Sequence, residues 1–299
     1  MTAILLTVAA ALALTPAAQA DPGRQENPPS WGLDRIDQRD GATDGLYSYA
    51  TTADTVTAYV IDTGVDAKQP EFEGRVEQGK NFVEGNDDAS DGNGDGTRLA
   101  SILGGKDFGV AKKVRIVPVR VLDNTGNGRL TNILAGLDWV TKNARQPSVA
   151  VLGIGGPVND ALDNAVRQLA GVMPVAVPAG WAGSDAGLSS PGRVAEALTV
   201  GATDQANAIA PKSNTGPGID VFAPGVDISS ATIGGPATAS GTSMAAAFVA
   251  GAAALYRAVH PEETPAEVSQ AIVDSATQNV LTSVPEGTPN RLLCTVADD

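Results

Sequence analysis

The sequence predicts an α/β domain built around a mostly parallel sheet, and two observations support this fold class. Several β-branched and apolar runs show no alternation of apolar and polar residues, which is typical of strands covered on both faces. Segments with helical periodicity lie between these runs. Strands that alternate with helices give a doubly wound domain, whose sites lie at the carboxyl ends of the strands.

The first predicted strand brings an acidic side chain to that edge of the sheet. Residues 55–61 are β-branched and apolar and run directly into Asp62-Thr63-Gly64. Similar continuous apolar runs follow at 114–122, 149–154, 172–177 and 197–200. Asp62 is therefore predicted at the end of a buried strand, where such a domain carries its site.

Helical patterns occupy the segments between and after these strands. They cover residues 130–143, 160–169 and 268–276. The last of them is preceded by Thr264-Pro265-Ala266-Glu267, which forms a capping box with proline at the first helical position. This alternation of elements completes the doubly wound pattern.

A further helix is predicted where residues 241–251 read Gly-Thr-Ser-Met-Ala-Ala-Ala-Phe-Val-Ala-Gly. Small apolar residues continue to position 255, as in a helix packed on all sides, and Thr242 or Ser243 is expected to cap it. The free N–H groups and positive dipole at a helix start suit a serine that attacks a carbonyl. The alternative is that Ser243 only caps the helix.

Composition limits the partners and the location of the protein. The net charge of −14 and the sequence pI near 4.4 argue against nucleic acid and anionic membranes, which bind basic patches. Residues 1–20 resemble a secretory signal peptide that ends in Ala18-Gln19-Ala20, although no basic residue precedes its apolar run. We therefore expect a secreted, extracellular monomer, and no later segment is expected to span a membrane.

The rest of the chain is predicted to be an extended polar arm, 21–30, followed by one domain, 31–299. Cys294 is the only cysteine, so no intramolecular disulfide can form, and an inert packed thiol is expected. His260 is the only histidine and lies beside a proline, as in a solvated loop. The acidic segment 84–96 lacks EF-hand spacing and is also expected to be a solvated loop.

Several motifs, in order, resemble the subtilisin superfamily of serine peptidases, family S8, and most closely its proteinase K and aqualysin-like branch. They are Val60-Ile61-Asp62-Thr63-Gly64, residues 91–97, Gly241-Thr242-Ser243-Met244, and the stretches 31–37, 199–204, 222–225 and 289–293. The resemblance covers nearly all of residues 31–293. It implies a three-layer αβα subtilisin-like fold with a mostly parallel central sheet.

The resemblance also implies an Asp, His, Ser triad, which this chain lacks in part. Asp62 matches the triad aspartate and Ser243 the nucleophile, but Asp95 stands where the family has histidine. The family's oxyanion asparagine is replaced by Trp181, whose indole has a single donor on a rigid ring. About ten residues separate the signal from the first motif, so no separate pro-domain is expected unless the start is mis-assigned.

The substrate groove and a calcium site carry over as expectations from the family. Substrates of the family add a strand along the segment that matches 123–130, and the groove glycines map to Gly126, Gly128, Gly153 and Gly155. The family's Ser-Leu-Gly-Gly strand appears here as Gly153-Ile154-Gly155-Gly156. No catalytic metal is implied. A structural calcium would bind the carbonyls of Ala195 and Ala197 and the carboxylate of Asp220, the alternative for Asp220 being a solvated strand end.

These departures predict a homologue with little or no peptidase activity at neutral pH. One alternative is an acid-active serine endopeptidase, in which Asp62 and Asp95 share a proton and act on Ser243, as carboxylates do in the related sedolisins. Another is an extracellular protein that binds a peptide in the groove without cutting it. An inert protein without a ligand is the third.

Overall fold

The computed structural model describes residues 22–39 and 43–295, so the predicted signal peptide lies outside the described residues. The strands are β1 (Gly23–Glu26), β2 (Leu46–Tyr49), β3 (Thr57–Asp62), β4 (Lys80–Asn81), β5 (Arg115–Arg120), β6 (Ser148–Leu152), β7 (Gly156–Pro157), β8 (Val175–Pro178), β9 (Ser189–Ser190), β10 (Leu198–Thr203), β11 (Val221–Pro224), β12 (Ile228–Thr232), β13 (Gly235–Ala239), β14 (Thr277–Gln278) and β15 (Arg291–Leu292). The α-helices are α1 (Trp31–Ile36), α2 (Asp95–Gly104), α3 (Leu130–Asn143), α4 (Asp160–Ala170), α5 (Thr242–Val259) and α6 (Pro265–Asp274). Two short 3-10 helices cover Pro70–Phe72 and Ala186–Leu188.

The central sheet has nine strands in the order β14-β15-β11-β10-β8-β6-β3-β5-β4. Every neighbouring pair is parallel except β14 and β15. The predicted strands appear in it as β3, β5, β6, β8 and β10, and all residues of β3, β6, β8 and β10 are buried. The prediction of a parallel sheet covered on both faces is therefore confirmed.

Helices cover both faces of this sheet and form two apolar layers. Val60 of β3 belongs to the layer that contains residues of α2, α5 and α6. The next residue, Ile61, belongs to the layer on the opposite face, with residues of α3 and α4. Successive strand residues point to opposite faces, so one strand supplies both cores. The result is the three-layer αβα arrangement that the resemblance implies.

The helices outside the serine segment lie close to their predicted positions. Helix α3 has the predicted bounds, and α4 extends one residue further. Helix α6 begins earlier than its apolar pattern indicates, because the capping box directs it to start at Pro265. In that box Glu267 N donates to Thr264 Oγ1 over 3.3 Å, and Thr264 N donates to a carboxylate oxygen of Glu267 over 2.7 Å.

Helix α5 is buried as predicted, but its predicted cap is wrong. The helix begins at Thr242 after an N-cap glycine, and neither Thr242 nor Ser243 makes a side-chain capping bond. The hydroxyl of Thr242 instead accepts a hydrogen bond from Gly180 N over 3.2 Å. This helix is long and apolar enough to cross a membrane, contrary to the expectation for that segment, but 83% of it is buried inside the protein.

The arm before Trp31 is extended as predicted, but it already belongs to the folded structure. Strand β1 pairs antiparallel with β2. Gln25 Nε2 donates to the carbonyl of Asp107 over 2.9 Å, and Lys112 Nζ donates to Gln25 Oε1 over 2.5 Å. The ammonium of Lys112 also lies 5.2 Å from the ring centroid of Tyr47. Residues 23–26 are therefore already part of the packed structure.

The single cysteine and the single histidine both lie away from the serine end of α5. Cys294 is buried with a free thiol, as expected. His260 follows the last residue of α5 and stacks on Tyr256, with 4.2 Å between the two ring centroids. Its Nδ1 lies 3.4 Å from a carboxylate oxygen of Glu263. An 18-residue helix is about 27 Å long, so His260 cannot reach Ser243.

Candidate active site

Asp62 ends strand β3 at the carboxyl edge of the sheet, and its backbone is held from both neighbouring strands. On the β6 side, Gly153 N donates to the carbonyl of Ile61 over 3.2 Å. On the β5 side, Val121 N and Leu122 N donate to the carbonyl of Asp62 over 2.9 and 3.2 Å. The residue is 2% exposed. Only its side-chain torsions can therefore change at low cost.

The carboxylate of Asp62 is buried and lies against Gly153. Thr63 N donates to Oδ1 over 2.6 Å. An ideal Cβ built on Gly153 would lie 1.7 Å from Oδ2, so the carboxylate occupies the place of a side chain at 153. Burial raises the pKa of Asp62 to about 7, the hydrogen bond from Thr63 N opposes this, and the charge of Asp95 adds to it.

A cleft of about 290 Å³ brings the predicted catalytic positions together. Asp62, Asp95 and Ser243 all line it. Its wall also includes Leu99, Leu122, Gly126, Gly153, Trp181 and Met244. The carboxyl end of β3, the start of α2 and the start of α5 thus converge on one opening, as the family resemblance implies for these residues.

Asp95 is the first residue of α2 and is mostly exposed, with a side-chain exposure of 60%. Its nearest cationic partner is Arg98, whose Nε lies 3.9 Å from Oδ1. Among the described residues, no hydrogen bond joins Asp95 to Asp62 or either carboxylate to Ser243. The two aspartates share a cleft without forming a hydrogen-bonded pair.

Asp91 fixes the start of α2, a role that the sequence did not indicate. Its Oδ1 accepts from Thr63 Oγ1, Asn93 N and Gly94 N over 2.8–2.9 Å. Its Oδ2 accepts from Thr97 N over 3.0 Å and Thr97 Oγ1 over 2.6 Å. The expectation of a merely solvated acidic loop is therefore wrong at Asp91, which ties the start of α2 to the end of β3.

Ser243 is the second residue of α5 and is half-buried. Among the described residues its Oγ has no hydrogen-bond partner. It lines the first cleft and also a second, of about 500 Å³, that contains Gly155, Leu188 and Trp181. The hydroxyl is thus accessible between two openings but has no base beside it.

Trp181 forms part of the wall between these two clefts. Its ring is half-buried and packs against the core layer of α2 and α5. Asn214, which the sequence did not single out, fixes the adjoining loop: its Oδ1 accepts from Ala182 N over 3.0 Å, and its Nδ2 donates to the carbonyl of Ala179 over 3.0 Å. No motif marks Asn214, because its partners are backbone groups distant in sequence.

The four predicted groove glycines do not all line the openings. Gly126 and Gly153 line the first cleft and Gly155 the second. Gly128 lines neither of these two clefts. It is exposed and packs over Leu122 and Ile133, where a Cβ would come within 2.5 Å of Leu122 Cδ2. Its place at the groove stays a prediction.

The residues predicted to bind calcium line a separate cleft of about 420 Å³. Asp220, Ala195 and Ala197 all contribute to it. Asp220 Oδ2 accepts from Thr199 N over 2.7 Å, and burial raises the pKa of this carboxyl to about 6. The carboxylate of Asp220 is half-buried, and its cleft is shared with Ala195 and Ala197, so these residues are compatible with a Ca²⁺ ion, which takes oxygen ligands.

Comparisons with known proteins agree with this arrangement. A model of the Subtilase family, Peptidase S8, matches residues 54–292. The chain is 46% identical over 275 residues to the extracellular serine proteinase of Thermus sp. (strain Rt41A), covering 90% of this chain and 67% of that protein. It is 45% identical over 289 residues to alkaline serine exoprotease A of Vibrio alginolyticus, covering 96% and 54%.

The solved structures show the same relationship for the fold. The crystal structure of a cold adapted subtilisin-like serine proteinase matches with a TM-score of 0.88 and 44% identity, covering 90% of this chain and 98% of that one. The chain spans between about half and two thirds of the length of the curated relatives named above. With the family model matched across most of its length and the fold reproduced, the chain belongs to the Subtilase family, peptidase family S8.

Proposed function

We propose that this chain is a secreted, catalytically impaired member of the Subtilase family that keeps a groove for peptides. The observation that carries the proposal is the cleft in which Asp62 and Ser243 are present but the carboxylate of Asp95, rather than an imidazole, lines the wall. Secretion is supported by the predicted signal segment and by relatives with names such as extracellular serine proteinase.

A serine nucleophile needs a base within about 2.6–3.2 Å of its Oγ, with a pKa near the working pH. Ser243 Oγ has no hydrogen-bond partner among the described residues, and the Asp95 carboxylate is held towards solvent near Arg98. Loss of a triad member reduces turnover by about four to six orders of magnitude. A trace activity is therefore the most that we expect at neutral pH.

The residue at the oxyanion position is expected to reduce peptidase activity further. Trp181 puts a bulky ring at the cleft wall where the family resemblance implies an amide donor. Loss of one oxyanion donor reduces turnover by about two to three orders of magnitude. Because residues of one catalytic unit act together, the two losses do not simply add.

The acid-active alternative has one supporting observation. Burial, with a contribution from Asp95, raises the pKa of Asp62 to about 7, as a proton-sharing carboxylate requires. However, Asp62 Oδ1 accepts from Thr63 N and Oδ2 lies against Gly153, so neither oxygen bridges to Asp95 or Ser243. The geometry therefore favours an impaired site over an acid-active one.

Peptide binding does not depend on the missing base. A peptide added as a strand uses backbone hydrogen bonds, and segment 123–130 is largely exposed beside the first cleft. Asp123 Oδ1 accepts from Thr125 N and Asn127 N over 2.8 and 3.1 Å, which fixes the turn before this edge. These contacts support a groove that is retained without catalysis.

Structural calcium is the one cofactor that we propose. The carboxylate of Asp220 would supply the charge, and the carbonyls of Ala195 and Ala197 would supply further oxygen ligands. Ca²⁺ binds six to eight oxygen atoms, so water would complete the shell. We propose no catalytic metal.

Peptidase activity across roughly pH 3 to 9 on a mixed peptide library tests the proposal, because a carboxylate base and an absent base differ most in acid. The matched control is Ser243→Ala, measured under the same conditions. We expect no Ser243-dependent cleavage at neutral pH. Acid activity that disappears in Ser243→Ala would support the carboxylate base, and strong Ser243-dependent activity at pH 7–8 would refute impairment altogether.

A further inference from the structure

The contact between Asp62 and Gly153 joins two residues at the ends of neighbouring strands. Strands β3 and β6 are parallel, with Ile61 opposite Leu152, so Asp62 and Gly153 continue that register one step beyond β6. The bond from Gly153 N to the carbonyl of Ile61 fixes the spacing of the two backbones. Any side chain at 153 therefore meets the side chain of Asp62 at short range.

The orientation of the Asp62 carboxylate depends on the missing side chain. A Cβ at 153 would stand 1.7 Å from Asp62 Oδ2 and 2.8 Å from Leu99 Cδ1, so one of these groups would have to move. Leu99 is fully buried in the core layer and has little room to shift. The Asp62 backbone is fixed from both sides, which leaves rotation of its carboxylate as the available adjustment.

We propose that Gly153 is a positioning residue that lets Asp62 withdraw from the centre of the cleft, and that a side chain at 153 returns the carboxylate towards residue 95 and Ser243. This inference rests on the proposed function, since it explains what holds the impaired site in its present arrangement. The site then has a third change besides Asp95 and Trp181. Replacing those two residues leaves the carboxylate withdrawn from any base introduced at 95.

The first test compares variants that share Asp95→His and Trp181→Asn, which supply a base and an amide donor. Gly153→Ala is added to one of them. The matched control adds Gly218→Ala, because a Cβ at 218 meets nothing within 4 Å. The probe is an alkyl fluorophosphonate: Ser243 Oγ bonds to phosphorus, the P–F bond breaks, the hydroxyl proton passes to the base, and fluoride leaves.

We expect Gly153→Ala to raise the labelling rate at pH 7.5 at least tenfold and Gly218→Ala to change it less than twofold. The gain should follow one ionisation near pH 6.5, as for a histidine base oriented by a carboxylate. A carboxylate brought next to the histidine raises the pKa of that histidine, so Gly153→Ala should move the ionisation upwards, whereas a purely structural effect of the alanine would scale the labelling rate without moving it. Equal labelling rates with and without Gly153→Ala would overturn the proposal.

Two measurements on single-site backgrounds keep the inference testable if the combined variants fold poorly. A crystal structure of Gly153→Ala should show the Asp62 carboxylate rotated into the cleft; an unmoved carboxylate with a displaced backbone at 153 would refute the proposal. In a double-mutant cycle, the effects of Asp62→Ala and Gly153→Ala on the denaturation midpoint should be non-additive. Additive effects would contradict steric coupling.

These outcomes separate the inference from the proposed function. Ser243-dependent cleavage by the unaltered protein would overturn impairment without moving Asp62. The Gly153→Ala structure reports the position of that carboxylate whether or not the protein cleaves peptides.

Discussion

Replacing Asp62 with asparagine should make the free energy of unfolding of the protein depend less on pH. The carboxyl has a pKa of about 7 in the fold against an ordinary value of 3.8, mainly because burial disfavours its charge. At pH values between these two pKa values, the folded protein binds the proton of this carboxyl more tightly than the unfolded chain does. The stabilising effect of that proton is therefore present at low pH and is lost as pH rises towards 7.

The size of the effect follows from the two pKa values. Their difference corresponds to about 4 kcal/mol of unfolding free energy once both states are ionised, and about 2–3 kcal/mol of that is lost between pH 5 and pH 8. Asparagine keeps an oxygen that can accept from Thr63 N but carries no charge at any pH. The free energy of unfolding of Asp62→Asn, relative to that of the unaltered protein, should therefore increase by about 2–3 kcal/mol from pH 5 to pH 8.

Guanidinium unfolding, followed by circular dichroism at several pH values, measures this difference. Asp88→Asn is the matched control, because hydrogen bonds from Ser90 lower the pKa of the exposed Asp88 and its titration ends below this pH range. The stability difference for Asp88→Asn should not widen between pH 5 and pH 8. A difference for Asp62→Asn that stays constant, or narrows as pH rises, would refute the assignment of a buried, proton-binding Asp62.

Two further predictions concern the scaffold of the site. Asp91→Ala should lower the free energy of unfolding by about 2–4 kcal/mol, because it leaves several N–H and hydroxyl donors at the start of α2 without their acceptor. Chemical denaturation measures this loss. A loss below about 0.5 kcal/mol would show that water replaces those hydrogen bonds. Calcium at about one hundred times its dissociation constant should stabilise the fold by about 2.7 kcal/mol, measured as a rise in the thermal midpoint over the protein in a chelator. Asp220→Asn should remove most of that rise, and an equal rise in both proteins would place the ion elsewhere.

The sequence was sufficient where a local pattern decides the structure. Helix α3 lies at its predicted bounds because its period and its flanking polar segments both define it. The capping box at Thr264 has the predicted contacts, since all its partners lie within four residues. Asp62 and Ser243 share a cleft as their motifs imply, because parallel strands and following helices bring their ends to one edge.

The sequence was insufficient where a contact depends on residues distant in the chain. Strand β1 is polar throughout, and its pairing with β2 is specified by backbone bonds rather than by an apolar pattern. The tie from Asp91 to the end of β3 depends on the hydroxyl of Thr63, which is distant in sequence, whereas its N–H donors are local. The orientation of Asp62 depends on the absence of a side chain at Gly153, across a strand pair, which no reading of either segment reveals.

The pairing of β1 with β2 limits how far the protein can be shortened for laboratory use. The family match starts at residue 54 and the first motif at Trp31, so both positions are natural places to begin a recombinant chain. Both choices discard Gln25, which accepts from the buried ammonium of Lys112. A chain begun at Trp31 would also leave β2 without its one strand partner among the described residues, and unpaired strands recruit strands from other molecules. A recombinant protein that starts at Trp31 should therefore aggregate when it is concentrated, whereas one that keeps the residues from Gly23 onward should not.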